Sequence, residues 1–303
     1  MKCCLSDCLY LVISFFKKIA KYACAINYLD SMMMLVDSKL CLRWANDPVN
    51  KDNFGDALNP ILIREITGKR VVCSWNVINI RQKPVICFIG SILDNLNRNN
   101  AVICGAGFQK ESATIKIKPA VVVAVRGPLS REILIKNKVE CPEVYGDPAI
   151  LLPLYVKKKK QKKQWDVGII AHYSDKNSLE QLPILASGYS YKVINVNLPV
   201  EKVIDEICSS KFILSSSLHG IIAAHSYGIP ATWIKVSENV IGGSFKFNDY
   251  AFSVNNSPLA CYQVGESLDL KKGVEKSVLF DLNEMAHILN DALKEYFGAK
   301  VGS

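Results

Sequence analysis

Short apolar runs alternate with longer stretches of helical periodicity along most of the chain. In the first half, this pattern predicts strands at residues 85–89, 101–104 and 120–125, each followed by glycine or a turn. Pro128 then suits a helix start, and apolar residues continue at helical spacing to residue 138. Strands and helices in alternation are typical of a parallel α/β architecture.

The same rhythm returns in the second half of the chain. The pattern there predicts strands at residues 167–171, 193–196, 212–214 and 231–234. It predicts helices at residues 200–209 and 220–227. Two doubly wound halves bind a ligand in the cleft between them, at the carboxyl ends of their strands. We therefore predict two Rossmann-like domains facing a cleft, over residues 41–156 and 165–303.

The lysine-rich run at residues 157–164 is predicted to link the two halves, because its like charges repel and nothing apolar interrupts them. Contact with anionic lipid headgroups is a second interpretation, worth about 1 kcal/mol for each lysine near the surface. Both interpretations stay open, and they are compatible.

Residues 1–40 form an N-terminal segment in which the apolar residues from Leu9 to Tyr22 approximate the spacing of an amphipathic helix, with lysines on its flank. Lys17 and Lys18 interrupt the apolar run well before the ~20 residues that a membrane span needs. The positive charges follow the apolar run, whereas a signal peptide places them before it. Two interpretations stay open: a helix lying on a membrane surface, and a helix packed on the core or on a partner chain.

Composition narrows the class of partner. The net charge of +9 favours an anionic partner, which can be a phosphorylated small molecule, an acidic membrane surface or nucleic acid. Nucleic acid is the least suitable, because the lysine run has no interleaved aromatic residues for base stacking. The eleven cysteines include no CxxC pair, so we expect free thiols in a reducing cytoplasm and no metal site.

Three serines and a histidine join a buried strand to a helix at residues 212–220. Serine is a favoured N-cap, and the free backbone N–H groups at such a helix start attract an anion. Ser216 and Ser217 are therefore candidate donors to a bound phosphate. His219 in the first turn is a candidate proton donor. The alternative is a capped helix whose histidine only packs.

Two other strand and helix ends carry candidate polar residues. Arg126 follows an apolar strand, and its guanidinium suits a carboxylate or phosphate; the alternative is a salt bridge, for example to Glu132. Asn53 and Asp56 stand where a helix begins, so they are either a plain N-cap or groups that contact a sugar hydroxyl.

Nine blocks of the sequence, in the same order along the chain, resemble the polysaccharide pyruvyl transferase family. Each block is weakly specific alone, but the ordered set is specific. The blocks are Asn53-Phe54-Gly55-Asp56 with Leu58-Asn59-Pro60, residues 88–93, residues 105–108, residues 125–130, residues 145–149, residues 171–176, Ser216-Ser217-Leu218-His219-Gly220, residues 228–230 and residues 245–250.

The resemblance implies a GT-B-like fold and transfer of an enolpyruvyl-derived group from phosphoenolpyruvate to a saccharide, with no metal and no other cofactor. The expected acceptor is a lipid-linked oligosaccharide with a hexose 4,6-diol. The expected product is a pyruvate ketal of capsule, exopolysaccharide or other bacterial surface polysaccharide. We expect a cytoplasmic enzyme, peripheral at the inner face of the membrane if the N-terminal helix binds there.

The resemblance also assigns site residues. Arg126 matches the family's donor arginine, and His219 matches its proposed catalytic histidine. Some members carry an arginine two residues before that histidine, where this chain has Ser217, so another cation must bind the donor. Lys246 is the candidate, with Lys235 behind it; the alternative for either is a solvated loop lysine.

The remaining assignments concern the acceptor. Asp56 is expected to accept the proton of the sugar hydroxyl, with Asn53 beside it on the acceptor side. His172 falls in a family block and is expected to line the acceptor side, or else to close a turn at a strand end.

Two other functions stay open. A GT-B glycosyltransferase that uses a nucleotide sugar would share the fold and the helix start. Many such enzymes place a glutamate for the ribose in the second domain, and the helix after His219 contains none. The other is a non-catalytic scaffold in a membrane-bound polysaccharide complex. The apolar, lysine-flanked N-terminal segment is the observation that supports it.

Overall fold

The computed structural model describes residues 39–44, 53–74, 83–157, 162–255 and 257–299. Most of the predicted N-terminal segment and the middle of the lysine-rich linker lie outside these ranges. Within them, no helix combines the length and the apolar character that crossing a bilayer requires.

The first half of the chain forms a five-stranded parallel sheet in the order β2-β1-β3-β4-β5. Its elements, with the helices and 3₁₀ turns between them, are β1 (Lys39–Arg43), α1 (Phe54–Thr67), β2 (Arg70–Cys73), β3 (Val85–Cys87), the 3₁₀ turn Leu93–Asn95, β4 (Ala101–Cys104), β5 (Val121–Ala124), α2 (Pro128–Lys136), the 3₁₀ turn Pro148–Leu151 and α3 (Leu152–Tyr155).

The second half forms another five-stranded parallel sheet, in the order β11-β10-β9-β6-β8, and a small two-stranded one made of β12 and β7. Its elements are β6 (Trp165–Ile170), the 3₁₀ turn Tyr173–Asp175, α4 (Lys176–Gln181), β7 (Ile184–Leu185), β8 (Tyr191–Val193), α5 (Val200–Cys208), β9 (Ser210–Ser215), α6 (Leu218–Ser226), β10 (Ala231–Lys235), α7 (Phe245–Val254), β11 (Cys261–Gln263), β12 (Leu268–Asp269), α8 (Leu270–Glu275) and α9 (Asn283–Ala299).

The predicted α/β class with parallel strands is confirmed by these two sheets. The strand β1 was not predicted, and it begins inside the range assigned to the N-terminal segment. Charged residues stand at both ends of its short apolar run, yet Lys39 and Arg43 are buried because β1 lies inside the sheet. The edge strand β8 begins earlier than predicted, because Tyr191 and Val193 are exposed in it and the apolar residues that follow are not in the strand.

The last helix returns to the first half of the chain. Although α9 follows the second sheet in sequence, it packs against β5 and α1. Leu289 and Leu293 are fully buried there and belong to an apolar cluster that contains residues of both halves. Burial of apolar surface therefore holds the two halves together.

Candidate active site

A cavity of about 170 Å³ lies where the two halves meet, beside the first turn of α6. Both halves contribute to it: Ser91 and Gln109 come from the first, and Tyr173 and Ile241 from the second. Six of the eight predicted site residues line this cavity, namely Asn53, Asp56, His172, Ser217, His219 and Lys246.

The first turn of α1 brings Asn53 and Asp56 to the cavity. Asn53 is the N-cap of α1, and its Oδ1 accepts a hydrogen bond from the N–H of Gly55 at 3.2 Å. Its Nδ2 donates to a carboxylate oxygen of Asp56. The predicted capping function is therefore present, and the same bonds orient the Asp56 carboxylate at the cavity wall.

The start of α6 forms another wall of the cavity. Ser215 ends β9, and its Oγ accepts a hydrogen bond from the N–H of Ser217 at 3.0 Å. Ser217 and Leu218 line the cavity with the first turn of the helix, where backbone N–H groups lack intrahelical partners. Ser216 is buried behind this wall, where its Oγ accepts from the N–H of His172 at 2.9 Å. Donor binding by Ser216 stays a prediction.

His219 stands in the first turn of α6 and faces a buried carboxylate. Its Nε2 lies 3.5 Å from Oδ2 of Asp147, and neither atom has a hydrogen-bond partner within the described part of the chain. Asp147 is fully buried, and its Oδ1 accepts from the N–H of Ala149 at 3.0 Å. The geometry thus provides an imidazole at the cavity wall with an anion behind it.

Lys246 supplies a buried positive charge in the first turn of α7. Its side chain is 7% exposed, and its Nζ lies 5.5 Å from the ring centre of Phe247. No carboxylate of the described residues forms a salt bridge with it. Burial, with the charge of Arg126 as a smaller cause and the charge of Asp175 in opposition, lowers its pKa to about 8. A buried ammonium without an ion-pair partner is suited to a bound anion.

Arg126 lies beneath the cavity rather than in its wall. Its side chain is fully buried, and its Nε and Nη2 each lie 2.9 Å from Oδ2 of Asp249. Nη2 donates to the carbonyl oxygen of Phe108 at 2.6 Å, and Nη1 donates to Oγ of Ser91 at 2.7 Å. The guanidinium leaves no room for a side chain at Gly107, where a Cβ would lie 2.4 Å from Cζ.

These contacts differ from those expected for Arg126. The salt-bridge alternative is present, but the partner is Asp249 rather than Glu132. The guanidinium reaches the cavity only through the hydroxyl of Ser91, which lines it. Direct contact between Arg126 and a donor stays a prediction.

His172 lines the cavity as a neutral side chain. Its Nδ1 lies 2.6 Å from Oγ of Ser174 and accepts from the N–H of the same residue at 3.3 Å. Burial, with the charges of Lys246 and His219 as smaller causes, lowers its pKa to about 3. His172 therefore caps the 3₁₀ turn after β6, as the alternative interpretation holds, and also lines the cavity.

The other candidate groups lie elsewhere. His225 is buried in the core, and His287 is exposed on α9. Lys235 pairs with Glu238 at 2.6 Å. Among the described residues no group of three His, Cys, Asp or Glu side chains stands close enough to hold a metal ion. The cysteines in the same ranges are free, and burial raises the pKa of Cys87 to about 12.

Sequence reasoning gave no function to three residues that shape the site, namely Asp147, Ser91 and Asp249. Each falls in a block that resembles the family, so the signal was present, but each follows a turn or lies in a helix with no pattern of its own. Their importance comes from contacts between residues far apart in sequence. Asp249, for example, is 123 positions from the arginine that it pairs with.

Comparison with known proteins agrees with the resemblance of the nine blocks. A sequence model of the family described as polysaccharide pyruvyl transferase matches residues 53–238. The chain is also 33% identical over 207 residues to the uncharacterized protein L143 of Acanthamoeba polyphaga mimivirus. The aligned region covers 65% of this chain and 69% of L143. The matched range includes every residue of the cavity wall except Ile241 and Lys246. The chain belongs to the polysaccharide pyruvyl transferase family.

Proposed function

We propose that this protein transfers the enolpyruvyl-derived group of phosphoenolpyruvate to a saccharide and forms a pyruvate ketal. Membership of the family supports a pyruvyltransferase of polysaccharide synthesis. The observation that carries the choice of donor is Lys246, a buried ammonium in the cavity wall without a carboxylate partner among the described residues. We assign no metal and no other cofactor to the reaction.

The size of the cavity favours a small anionic donor over a nucleotide sugar. Cavities for drug-sized ligands measure roughly 300–1,000 Å³, and this one measures about 170 Å³. Lys246 and the first N–H groups of α6 offer positive potential to the phosphate and the carboxylate of phosphoenolpyruvate. The serine at position 217 leaves this cavity without the arginine that some family members carry, and Lys246 compensates for it.

The side chains around the cavity can carry ketal formation. His219 delivers a proton to the methylene carbon of the donor, which leaves positive charge at the adjacent carbon. A sugar hydroxyl attacks that carbon, and Asp56 accepts its proton. The bond to phosphate breaks with its electron pair going to the phosphate, and the second hydroxyl closes the ring. One hydroxyl proton replaces the proton from His219, and the other leaves with phosphate.

Arg126 is assigned to positioning rather than to direct contact. Its guanidinium holds Ser91 at the cavity wall and joins β5 to Asp249 of α7, the helix that carries Lys246. In a GT-B-like arrangement, which we propose for the two halves, this buried ion pair connects one half with the other.

The saccharide has room beyond the small cavity. Tyr173 lines this cavity and also a neighbouring one of about 320 Å³, at the carboxyl ends of β6 and β8. Asn195, Asn197 and Glu180 supply amide and carboxylate groups there. We assign the acceptor, which we expect to be a lipid-linked oligosaccharide with a hexose 4,6-diol, to this side of His172.

Incubation of the purified protein with phosphoenolpyruvate and a panel of free and lipid-linked saccharides tests the function. We expect release of inorganic phosphate together with the mass increment of a pyruvate ketal on one saccharide. The same panel with nucleotide sugars in place of phosphoenolpyruvate is the comparison. Glycosyl transfer from a nucleotide sugar, with no pyruvylated product, would replace our proposal with the glycosyltransferase function. If the protein binds neither phosphoenolpyruvate nor a nucleotide sugar, the result would favour the non-catalytic scaffold.

A further inference from the structure

We propose that Asp147 and Gly55 fix the imidazole of His219 so that Nε2 carries a permanent proton and Nδ1 performs the proton transfer. The inference deepens the proposed function, on which its kinetic part rests. Asp147 is a positioning residue in this account, because it contacts the imidazole and not the donor.

The atoms around Nε2 support a bond to Asp147. Nε2 and Oδ2 of Asp147 are both sealed from solvent, lie 3.5 Å apart, and lack other hydrogen-bond partners among the described residues. A buried carboxylate oxygen cannot donate, so an N–H on Nε2 is what satisfies both atoms. Hydrogen bonds of catalytic groups are often long before a ligand binds, and a movement of a few tenths of an ångström would close this one.

The part of the imidazole around Nδ1 packs against Gly55. A Cβ built at this position would lie 2.1 Å from Nδ1 and 2.5 Å from Cγ of His219, so any side chain there displaces the imidazole. Gly55 stands in the first turn of α1, where its own N–H is held by Asn53. Glycine is a poor helix former, so its use at this position is explained by the space that the ring needs.

With Nε2 engaged by Asp147, Nδ1, which lies beside Gly55, is the nitrogen left for proton transfer. The charged and titratable groups around the imidazole are Asp147 after β5, Asp56 of α1, His172 after β6 and Lys246 of α7. Of these, Asp147 alone lies within salt-bridge distance of Nε2. Its fixed negative charge stabilises the imidazolium that must form before a proton is delivered.

The proton balance is complete with these groups. The N–H bond on Nδ1 of the imidazolium breaks, its electron pair stays on nitrogen, and a C–H bond forms at the methylene carbon of phosphoenolpyruvate. The product is the neutral tautomer with its proton on Nε2, which is the form that Asp147 holds. A hydroxyl proton of the acceptor, passed on through Asp56, restores the imidazolium.

The tautomer can be measured without turnover, by ¹⁵N–¹H correlation spectra of the full chain labelled in its imidazole nitrogens. The chain has four histidines, and the signals of His219 are those lost in His219→Gln. We expect the neutral ring of His219 to carry its proton on Nε2. In Asp147→Asn we expect a mixture of the two tautomers, because an amide can donate to Nε2 as well as accept from it. A proton on Nδ1 in the unaltered protein, or no change in Asp147→Asn, would overturn the inference.

Turnover supplies the second measurement. We expect Asp147→Asn to lower kcat by about 10²-fold or more, because the imidazolium that delivers the proton loses the carboxylate that orients and stabilises it, and to leave the KM for phosphoenolpyruvate within about threefold. A rise in KM with kcat unchanged would contradict the positioning function.

Gly55→Ala tests the packing of the His219 imidazole against Gly55, and Gly298→Ala is its matched control. Both changes replace a helical glycine, but a Cβ at position 298 meets nothing within 4 Å. We expect only Gly55→Ala to shift the His219 signals and to lose at least about 10²-fold in kcat per folded molecule. Unshifted His219 signals in Gly55→Ala would show that Gly55 does not fix the position of the imidazole. If the unaltered protein shows the expected tautomer but transfers no pyruvyl group, the pairing stands and the proposed function fails.

Discussion

The two ends of helix α6 each carry a histidine, and their surroundings differ. His225, near the C-terminal end, has both ring nitrogens satisfied: Nδ1 accepts from the hydroxyl of Tyr250 at 3.0 Å, and Nε2 donates to the carbonyl of Val278 at 2.9 Å. Burial lowers its pKa to about 4, so it is a neutral core residue. His219, at the N-terminal end, borders a cavity, and among the described residues its ring nitrogens have one polar neighbour, Asp147 at 3.5 Å from Nε2.

This difference separates structural from functional polar groups. A buried polar side chain with all its partners stabilises the fold, whereas one with partners missing is held ready for a ligand. The two buried cations divide in the same way. Each of the three guanidinium nitrogens of Arg126 has a partner, supplied by Asp249, Phe108 and Ser91, and Lys246 has no carboxylate partner in the described part of the chain.

The largest expected effects come from exchanging the two histidines for alanine. His219→Ala should lower turnover by about 10²–10⁴-fold, the range of acid–base assistance. His225→Ala should lower the free energy of unfolding by about 2–4 kcal/mol, because it leaves a buried hydroxyl and a carbonyl unpaired. Turnover per folded molecule should stay close to normal in that variant. Steady-state kinetics and urea unfolding of both variants check this, and the reverse pattern would break the comparison.

Arg126→Met tests whether the first cation is structural. We expect a loss of about 3–5 kcal/mol in the free energy of unfolding, because the variant leaves the carboxylate of Asp249 buried and unpaired. Arg131→Met is the control, since Arg131 pairs with Glu143 at 3.2 Å near the surface and should cost at most about 1 kcal/mol. Full stability of Arg126→Met with only a raised KM for phosphoenolpyruvate would instead support direct donor binding.

Lys246→Met tests the second cation. Hydrogen bonds to charged groups contribute about 1.5–3 kcal/mol, so the KM for phosphoenolpyruvate should rise about 10–100-fold. Lys235→Met is the matched control, because Lys235 already pairs with Glu238 and lies outside this cavity. Equal KM values in the two variants would remove Lys246 from donor binding.

The same lysine predicts a pH dependence. Its pKa of about 8 lies below the ordinary 10.5, so the ammonium loses its proton as pH rises through about 8. The affinity for the anionic donor should therefore fall above that pH, and the fall should be absent in Lys246→Met. Between about 8 and 10.5 the unfolded chain binds the additional proton, so the contribution of Lys246 to stability rises with pH. Titration calorimetry with phosphoenolpyruvate at pH 7 and pH 9.5 checks the affinity.

The smallest expected effect belongs to His172→Gln. His172 is neutral at every working pH, because burial lowers its pKa to about 3, so it takes no part in acid–base steps. We expect less than about a tenfold change in turnover and an unaltered pH–rate profile. A changed profile would mean that His172 exchanges protons with the substrates.

The sequence pattern predicted what depends on local periodicity. The strand β4 was predicted at its observed bounds, and the starts of α2 and α5 were also predicted, because buried strands and amphipathic helices carry their own signal. The strands β1 and β11 were not predicted, because their apolar runs are short and are interrupted by charged or half-exposed residues. The return of α9 to the first half depends on tertiary packing, which has no local pattern.

The site divides along the same line. His219 and Lys246 were found from a motif and from the need for a cation, and both line the cavity. Arg126 was expected at the strand end, but its partner Asp249 lies on a distant helix that only the fold brings near. The function of Asp147 depends on an interatomic distance that no spacing in the sequence encodes.

A structure of the protein with phosphoenolpyruvate tests the central claim most directly. Our account predicts the phosphate or the carboxylate of the donor against Nζ of Lys246 and the first backbone N–H groups of α6, with the methylene carbon facing Nδ1 of His219. A donor bound in another cavity, or one held here with its methylene carbon turned away from the imidazole, would contradict it.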